Sequence, residues 1–407
     1  MYEGTWNFRR CKDRDPVYGV GACDVDGARA VINGLRKSGH REIAWVFLAD
    51  EPLVYVGGEP VVVALNAADE REESSTFKPS LESILTNVAT ATKNSFELER
   101  LEARLKSDVL ASAAAAAEEA GGGAVGFVRV LGRRDTLGNG GRRSSPSVRE
   151  VDEAQIEHDA RRNGGIPDPR ALAAAAEVFA ALGKTGSPTA YLRAPVAARA
   201  APSERQFERV VSHLLGVDED AALVFACADG VHRATVGMVA GCLTWRARVG
   251  ELDAFRDDVS TTESAETSSR SRARPDYDAC EFFPVTSMLE GLRPLGLSRA
   301  KEALDAAIDA CDAVFDVRAE AGKRRAAAAD ARDARKEKME GDENLVDAGA
   351  AAEHARNGLA CLERYCWLLL FAAYCVDCGS AGFETTFGAW TRSRWSLRPK
   401  TGDMVLA

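Results

Sequence analysis

Cys227 and Arg233 are the residues best equipped for chemistry. They lie in the run Leu223-Val-Phe-Ala-Cys227-Ala228-Asp229-Gly230-Val231-His232-Arg233, which spaces them as Cys-x-x-Gly-x-x-Arg. Successive backbone N–H groups over Ala228, Asp229, Gly230, Val231, His232 and Arg233 can curl around a tetrahedral oxyanion, with Gly230 permitting the tight turn. The dipole of a helix starting there favours the same negative charge. Arg233 can hold two phosphate oxygens as a fork. That field would also stabilise a thiolate on Cys227, lowering its pKa from ~8.5 toward ~5. A thiolate facing phosphorus attacks in line, and water then hydrolyses the cysteinyl-phosphate.

Three residues at this spacing arise by chance in about one chain in ten of such composition, so the context must carry the reading. An apolar strand, Ala221 to Ala226, precedes the cysteine, and a helix from Arg233 to Val249 follows. Binding sites of open α/β folds lie at such a strand-to-helix edge. The other reading of the residues is a buried structural cysteine at a strand end, with Arg233 on a helix surface.

The elements needed to position that loop are legible along the chain. Val25, Ala28, Val31, Ile32 and Leu35 recur at helical spacing behind an acidic start at Cys23-Asp-Val-Asp26. Ile43 to Leu48 has strand length, and residues 53–65 read as a hairpin around Gly57-Gly58. Phe96 to Glu119 reads as a helix and Val125 to Leu131 as a strand. Helices are expected at 150–162 and 169–182, a strand at Thr189 to Arg193 and a helix at Ser203 to Leu215. Strands alternating with helices predict an α/β fold with a largely parallel sheet flanked by helices.

Beyond residue 280 only helical patterns remain, at 284–292, 298–321, 359–375 and 383–395, with 322–345 an exposed helix or spacer. The expected organisation is an α/β domain over 1–255, a flexible linker over 256–279 and an all-helical extension over 280–407 packed on that domain. Residues 132–149, rich in Gly, Arg and Ser, read as a loop insertion.

Composition narrows the function. The chain has 407 residues, with Lys+Arg 52 against Asp+Glu 62 and a net charge of -10. A nucleic-acid partner is not expected, because phosphate backbones want a basic face. The start, MYEGTWNFRR, has no secretory pattern. The longest uncharged run, Tyr365 to Val376, is shorter than the ~20 residues of a bilayer span. Ten scattered cysteines suit free thiols in a reducing compartment, and the expected location is the cytoplasm. Cys375-Val-Asp-Cys378 is a lone C-x-x-C, so no metal is expected. The chemistry needs only the thiolate, the amides and Arg233, so no cofactor is implied. Oligomeric state is not legible.

The sequence resembles the paladin family, within the cysteine-dependent, dual-specificity-like phosphatases related to tyrosine-phosphatase-like inositol phosphatases (phytases). The resemblance rests on the loop and on collinear segments: Asn7-Phe-Arg-Arg10, Val17-Tyr-Gly-Val-Gly21, Asp50-Glu-Pro-Leu-Val-Tyr-Val56 and Leu101 to Leu110. Tyr191-Leu-Arg-Ala-Pro195, Ala201-Pro202, Phe282-Phe-Pro-Val285, Leu362-Glu-Arg-Tyr365 and Leu370-Phe-Ala-Ala-Tyr374 continue it to the helical part. It implies a cysteine-phosphatase-like fold, one paladin repeat unit, Cys227 as nucleophile and Arg233 as transition-state clamp.

The departures from the family pattern are specific. The family has Ser or Thr after the arginine; here it is Ala234, with Thr235 turned ~100° further round a helix. The residue before the nucleophile, usually His or Asn, is Ala226. The family's general acid falls at Ala198, which has no proton to give. Asp229, Glu204 or His232 are possible replacements. An inward Asp229 carboxylate would oppose phosphate.

Two functions therefore stand. One is a phosphatase acting on a phosphoprotein or inositol phosphate, impaired by the loss of the acid and the hydroxyl. The other is a pseudophosphatase that binds phosphorylated partners or serves as a scaffold. Sulfur transfer, which also uses a loop cysteine before a helix, fits the Gly and Arg spacing less well.

Overall fold

The structure is a computed structural model. It describes residues 3–62, 96–107, 172–184, 189–197, 200–257, 275–340 and 348–399. In chain order the elements are β1 (Arg9–Arg10), β2 (Val17–Gly21), α1 (Val25–Lys37), β3 (Ile43–Phe47), β4 (Leu53–Val56) and β5 (Glu59–Val62). Then come α2 (96–107), β6 (Leu172–Ala174), α3 (Ala175–Lys184), β7 (Thr189–Arg193), α4 (Glu204–Leu215), β8 (Ala222–Cys227) and α5 (His232–Arg248). The last are α6 (Phe283–Leu292), α7 (Ala300–Cys311), α8 (Val317–Glu340), α9 (Ala348–Cys378) and α10 (Phe387–Ser393). This is the expected mixed α/β architecture with a helical C-terminal region.

Five strands form one sheet in the order β1-β2-β8-β3-β7. β3 runs parallel to both neighbours, with Phe47 beside Ala226 on β8 and beside Arg193 on β7. All three chains therefore leave the sheet at one edge. β3 and β8 are apolar and buried along their whole length, as strands covered on both faces must be. The hairpin β4–β5 lies in a second sheet, ordered β5-β4-β6.

The chain divides into two compact units. The first comprises Met1–Arg9, Tyr18–Val196 and Asp220–Ala234; the second comprises Arg10–Val17, Ala197–Glu219 and Thr235–Ala407. The grouping does not follow the expected boundary at 255, because 197–219 and 235–255 go with the helices. The expected linker lies outside the described residues over 258–274, as does the loop at 132–149.

In the first unit, α1 buries Ala28, Val31, Ile32 and Leu35, and its N-cap Asp24 accepts a hydrogen bond from the Gly27 N–H. That face packs into one core with Trp45, Phe47, Tyr55 and Phe179. Phe179 sits 4.8 Å from both Trp45 and Tyr191, centroid to centroid. The expected helix at 169–182 begins later, because Leu172–Ala174 pairs antiparallel with β4 as strand β6. Alanine is a strong helix former, but propensity yields to tertiary context, and pairing with the edge of β4 overrides it here. Of the expected helix from Phe96 to Glu119, residues 96–107 are described, with Leu98, Leu101 and Leu105 buried. The strand at 125–131 and the helix at 150–162 lie outside the described residues.

The second unit is organised around α9, whose Phe371 stacks on Phe207 at 4.6 Å and meets Phe387 edge-on at 5.4 Å. Part of α9, Ala351–Cys378, is long and apolar enough to cross a membrane, but 78% of its most apolar window is buried in the structure, as a core helix is. The expected single helix at 298–321 is two helices. α7 ends at Cys311, and Asp316 then accepts from the Arg318 and Ala319 N–H groups, which starts α8. α4 carries a capping box, with the Gln206 N–H donating to Ser203 Oγ (3.4 Å) and the Ser203 N–H to Gln206 Oε1 (2.6 Å). Ser203→Ala is expected to cost about 1 kcal/mol in urea unfolding; an unchanged midpoint would show the cap to be idle.

Candidate active site

β8 ends at Cys227 and α5 begins at His232, so the expected cradle runs from the end of β8 through the loop 228–231 into the first turn of α5. Gly230 has φ +71, a conformation that suits glycine. A Cβ there would lie 2.3 Å from the Gly21 nitrogen. Two residues of the N-terminal segment hold the loop from outside: Asn7 Nδ2 donates to the Asp229 carbonyl (2.7 Å) and Arg9 Nη1 to the Gly230 carbonyl (2.5 Å). These bonds anchor the Asp229 and Gly230 carbonyls to the N-terminal segment.

The anion side of the loop is occupied by the chain's own carboxylate. Asp229 Oδ1 accepts from Cys227 Sγ at 3.1 Å and from the Val231 N–H at 2.9 Å. Its Oδ2 lies 3.3 Å from His232 Nδ1. The carboxylate thus folds back onto Cys227 and the loop backbone. Burial would raise its pKa, but the hydrogen bonds from His232, Val231 and Cys227 outweigh this and keep it charged. Its side chain is nonetheless 47% exposed, so it has an outward path.

Cys227 is fully buried. Burial and the Asp229 charge push its thiol up to about 12, against the pull of Arg233 and the Ala234 amide. The expected lowering of this pKa is therefore reversed in this arrangement. The thiol is neutral and donates to Asp229 rather than standing as a thiolate.

Arg233 is 8% exposed and fully engaged. Nη1 donates to Asp50 Oδ1 (2.5 Å), Glu51 Oε2 (3.0 Å) and the Val196 carbonyl (3.2 Å), and Nη2 to Glu51 Oε1 (3.1 Å). Its pKa is raised: burial opposes this, but the Glu51 and Asp50 charges prevail. Asp50 and Glu51 were part of the paladin-like segment, yet sequence reasoning gave them no role. The available signal was an acidic pair directly after an apolar strand, at the edge where sites gather.

Other candidates fall differently. Arg193, the last residue of β7, is turned into the protein. It is buried, pairs with buried Glu102 at 2.9 Å and lies over the Phe47 ring at 4.6 Å. Ala234 is buried and offers no hydroxyl. His232 is half exposed. Ala198, where the family acid is expected, and Arg199 lie outside the described residues. Glu204 belongs to the second unit, where Thr391 Oγ1 donates to it at 2.9 Å.

Among the described residues, one group with metal-capable atoms comes together: Cys11, Asp15 and Cys242, within 4.8 Å of one another. The group is closed on itself. Arg246 Nε holds the Asp15 carboxylate at 2.8 Å, and Cys11 Sγ donates to the Asp15 carbonyl at 3.1 Å.

With this geometry in place, comparison with known proteins is informative. Residues 46–245 match the family model of the PTP-like phytases, described as inositol hexakisphosphate. The chain is 22% identical over 409 positions to paladin of Danio rerio and 24% identical over 400 positions to paladin of Homo sapiens. These alignments cover 97% and 95% of this chain but 40% and 39% of the relatives, so the chain spans about two fifths of their length. Among solved structures, a PTP-like phytase from Bdellovibrio bacteriovorus matches at 14% identity and TM-score 0.45, over 95% of this chain and 90% of that one. A PTP-like myo-inositol phosphatase from Mitsuokella multacida, in complex with myo-inositol-(1,3,4,5)-tetrakisphosphate, matches at 10% identity and TM-score 0.47, over 98% and 47%. The site and the phytase domain around it define a phosphatase-like α/β protein. The comparisons support the resemblance read from the sequence: a PTP-like phytase match over residues 46–245 and similarity to paladins over nearly the whole chain.

Proposed function

We propose that this chain is a paladin-like, cysteine-dependent phosphatase of reduced activity, acting on an inositol phosphate or a phosphoprotein. The observation that carries the reading is the placing of Cys227 at the end of a parallel strand and of Arg233 in the first turn of the helix that follows it. The inositol hexakisphosphate family description supports a phosphorylated substrate. Cys227 forms the bond to phosphorus as the ester oxygen departs, Arg233 and the loop amides neutralise the transferring group, and water releases phosphate. Ala234 supplies no hydroxyl to steady the departing thiolate. For the substrate to enter, Asp229 swings out along its exposed side, which also removes the charge that keeps Cys227 protonated.

The second reading is a pseudophosphatase that binds phosphorylated ligands or scaffolds partners. It is favoured by the neutral, buried thiol and by the carboxylate standing where an oxyanion would sit. The ten buried, free thiols support a reducing compartment such as the cytoplasm.

Phosphate release from 4-nitrophenyl phosphate and from inositol hexakisphosphate, wild type beside Cys227→Ser, separates the readings. The phosphatase reading expects the wild type to exceed the variant by at least ~10² on one substrate. Equal release turns the reading to the pseudoenzyme.

A further inference from the structure

The chemistry above leaves one requirement unmet. An alkyl phosphate departs as an alkoxide unless a proton reaches its oxygen during bond cleavage. Asp229 is charged and engaged with Cys227, Val231 and His232, and so holds no proton to give. Glu102 is buried on Arg193 and on the Leu53 N–H.

The chain places another carboxyl at the cradle. β3 and β8 run parallel and leave the sheet together, with the Leu48 N–H donating to the Ala226 carbonyl at 2.7 Å. Asp50 and Glu51 follow three and four residues after Phe47, and Cys227 follows Ala226 directly. Both carboxyls reach the one guanidinium of the cradle, but unequally. Glu51 uses both oxygens on Arg233, at 3.0 and 3.1 Å, and so acts as its fixed counter-ion. Asp50 uses one oxygen, at 2.5 Å, with its side chain 17% exposed.

We propose that Asp50 is the general acid of this site, protonating the leaving oxygen in place of a residue near Ala198, while Glu51 stays ionised and positions Arg233. The inference rests on the phosphatase reading. Cys227 enters as the thiolate, its proton having passed to solvent by way of the Asp229 carboxylate to which it donates. In the first step the Cys227 Sγ–P bond forms and the P–O ester bond breaks. The electron pair stays on the ester oxygen, which takes the Asp50 proton and leaves as an alcohol. In the second, the Asp50 carboxylate takes a proton from water as that oxygen attacks phosphorus. The S–P bond breaks, phosphate leaves, and Cys227 and Asp50 return to their starting states.

Two adjacent carboxyls whose surroundings push them apart are the usual mark of divided roles. Burial and the Glu51 charge push Asp50 up to about 6, against Arg233. Glu51 is held below the usual carboxylate range: burial opposes this, but Arg233 prevails through charge and hydrogen bonds. The groups facing Asp50 are Glu51 on its own segment and Arg233 on α5. An arriving phosphate adds negative charge and holds the Asp50 proton more firmly.

The test compares wild type, Asp50→Asn and Cys227→Ser on inositol hexakisphosphate, an alkyl ester, and 4-nitrophenyl phosphate, whose leaving group needs no proton. Asp50→Asn is expected to lower kcat on the alkyl ester by ~10²–10⁴ and on the aryl ester by less than about tenfold. Asp50→Glu should recover part of the loss. As a check that needs no variant, wild-type kcat on the alkyl ester should fall, relative to the aryl ester, as pH rises through the Asp50 titration. Equal loss on both substrates, no loss on either, or parallel pH profiles would overturn the assignment while leaving Cys227 in place. If wild type releases no more phosphate than Cys227→Ser, the phosphatase reading fails and Asp50's step fails with it.

Discussion

Asp229→Asn is expected to move the Cys227 thiol titration down by about one to three pKa units and to tighten inorganic phosphate binding at least ~10-fold. The thiol is pushed up to about 12 by burial first and by the Asp229 charge next. Asparagine keeps the shape and can still accept from the Val231 N–H, but it carries no charge. A negative neighbour disfavours the thiolate, so removing it shifts the midpoint to lower pH, with the pull of Arg233 unopposed on that side. The same charge repels an incoming dianion across a few ångströms, an interaction on the order of 4 kcal/mol at an effective dielectric near 20. The check is thiolate absorbance at 240 nm, wild type minus Cys227→Ser, repeated in the Asp229→Asn background, with calorimetric phosphate titration beside it. An unmoved midpoint would mean that burial alone sets the thiol.

Gly230→Ala is expected to destabilise the protein by roughly 2–5 kcal/mol, as the sum of ~1–2 kcal/mol for a left-handed non-glycine residue and ~1–3 kcal/mol for overpacking. The added carbon would meet the Gly21 nitrogen at 2.3 Å and the Val20 carbonyl carbon at 2.7 Å. Both are backbone atoms of a central strand, so neither can swing aside. Relief by moving the loop would also break the Arg9 and Asn7 bonds to its carbonyls. Urea unfolding measures the loss. A variant within 0.5 kcal/mol of wild type would show that the loop relaxes freely.

Much of this site was legible because local signals and tertiary roles coincide. The apolar runs at 43–48 and 221–226 are strands for the same reason that they are buried, and Ser203 announces α4 by the bonds it makes. Cys227 and Arg233 were legible because a strand and a helix fix their spacing. What sequence did not show depends on neighbours distant along the chain. Leu172–Ala174 is a strand only because β4 offers an edge. Val17–Gly21, two of whose five residues are glycine, drew no strand assignment and owes its form to its place beside β8. Asp229 was visible as a residue, but not the turn of its carboxylate onto Cys227. The Asp50–Glu51 grip on Arg233 crosses more than 180 residues. Arg193 was legible as a charge, whereas its burial against Glu102 was not.

The division into units has a consequence for how the molecule can be made. The chain passes from one unit to the other five times, and the last crossing falls inside α5, between Ala234 and Thr235. No single stop codon separates the units. A product ending at residue 255 would retain α4 without α9, exposing the Phe207 face that Phe371 covers, and would hold the far end of the arginine-bearing helix stripped of its neighbours. During synthesis the first unit has its last segment once Ala234 is free of the ribosome, whereas the second waits for chain more than a hundred residues further on. The cradle can thus be assembled on a nascent chain before the helix that supplies its arginine is anchored at its other end.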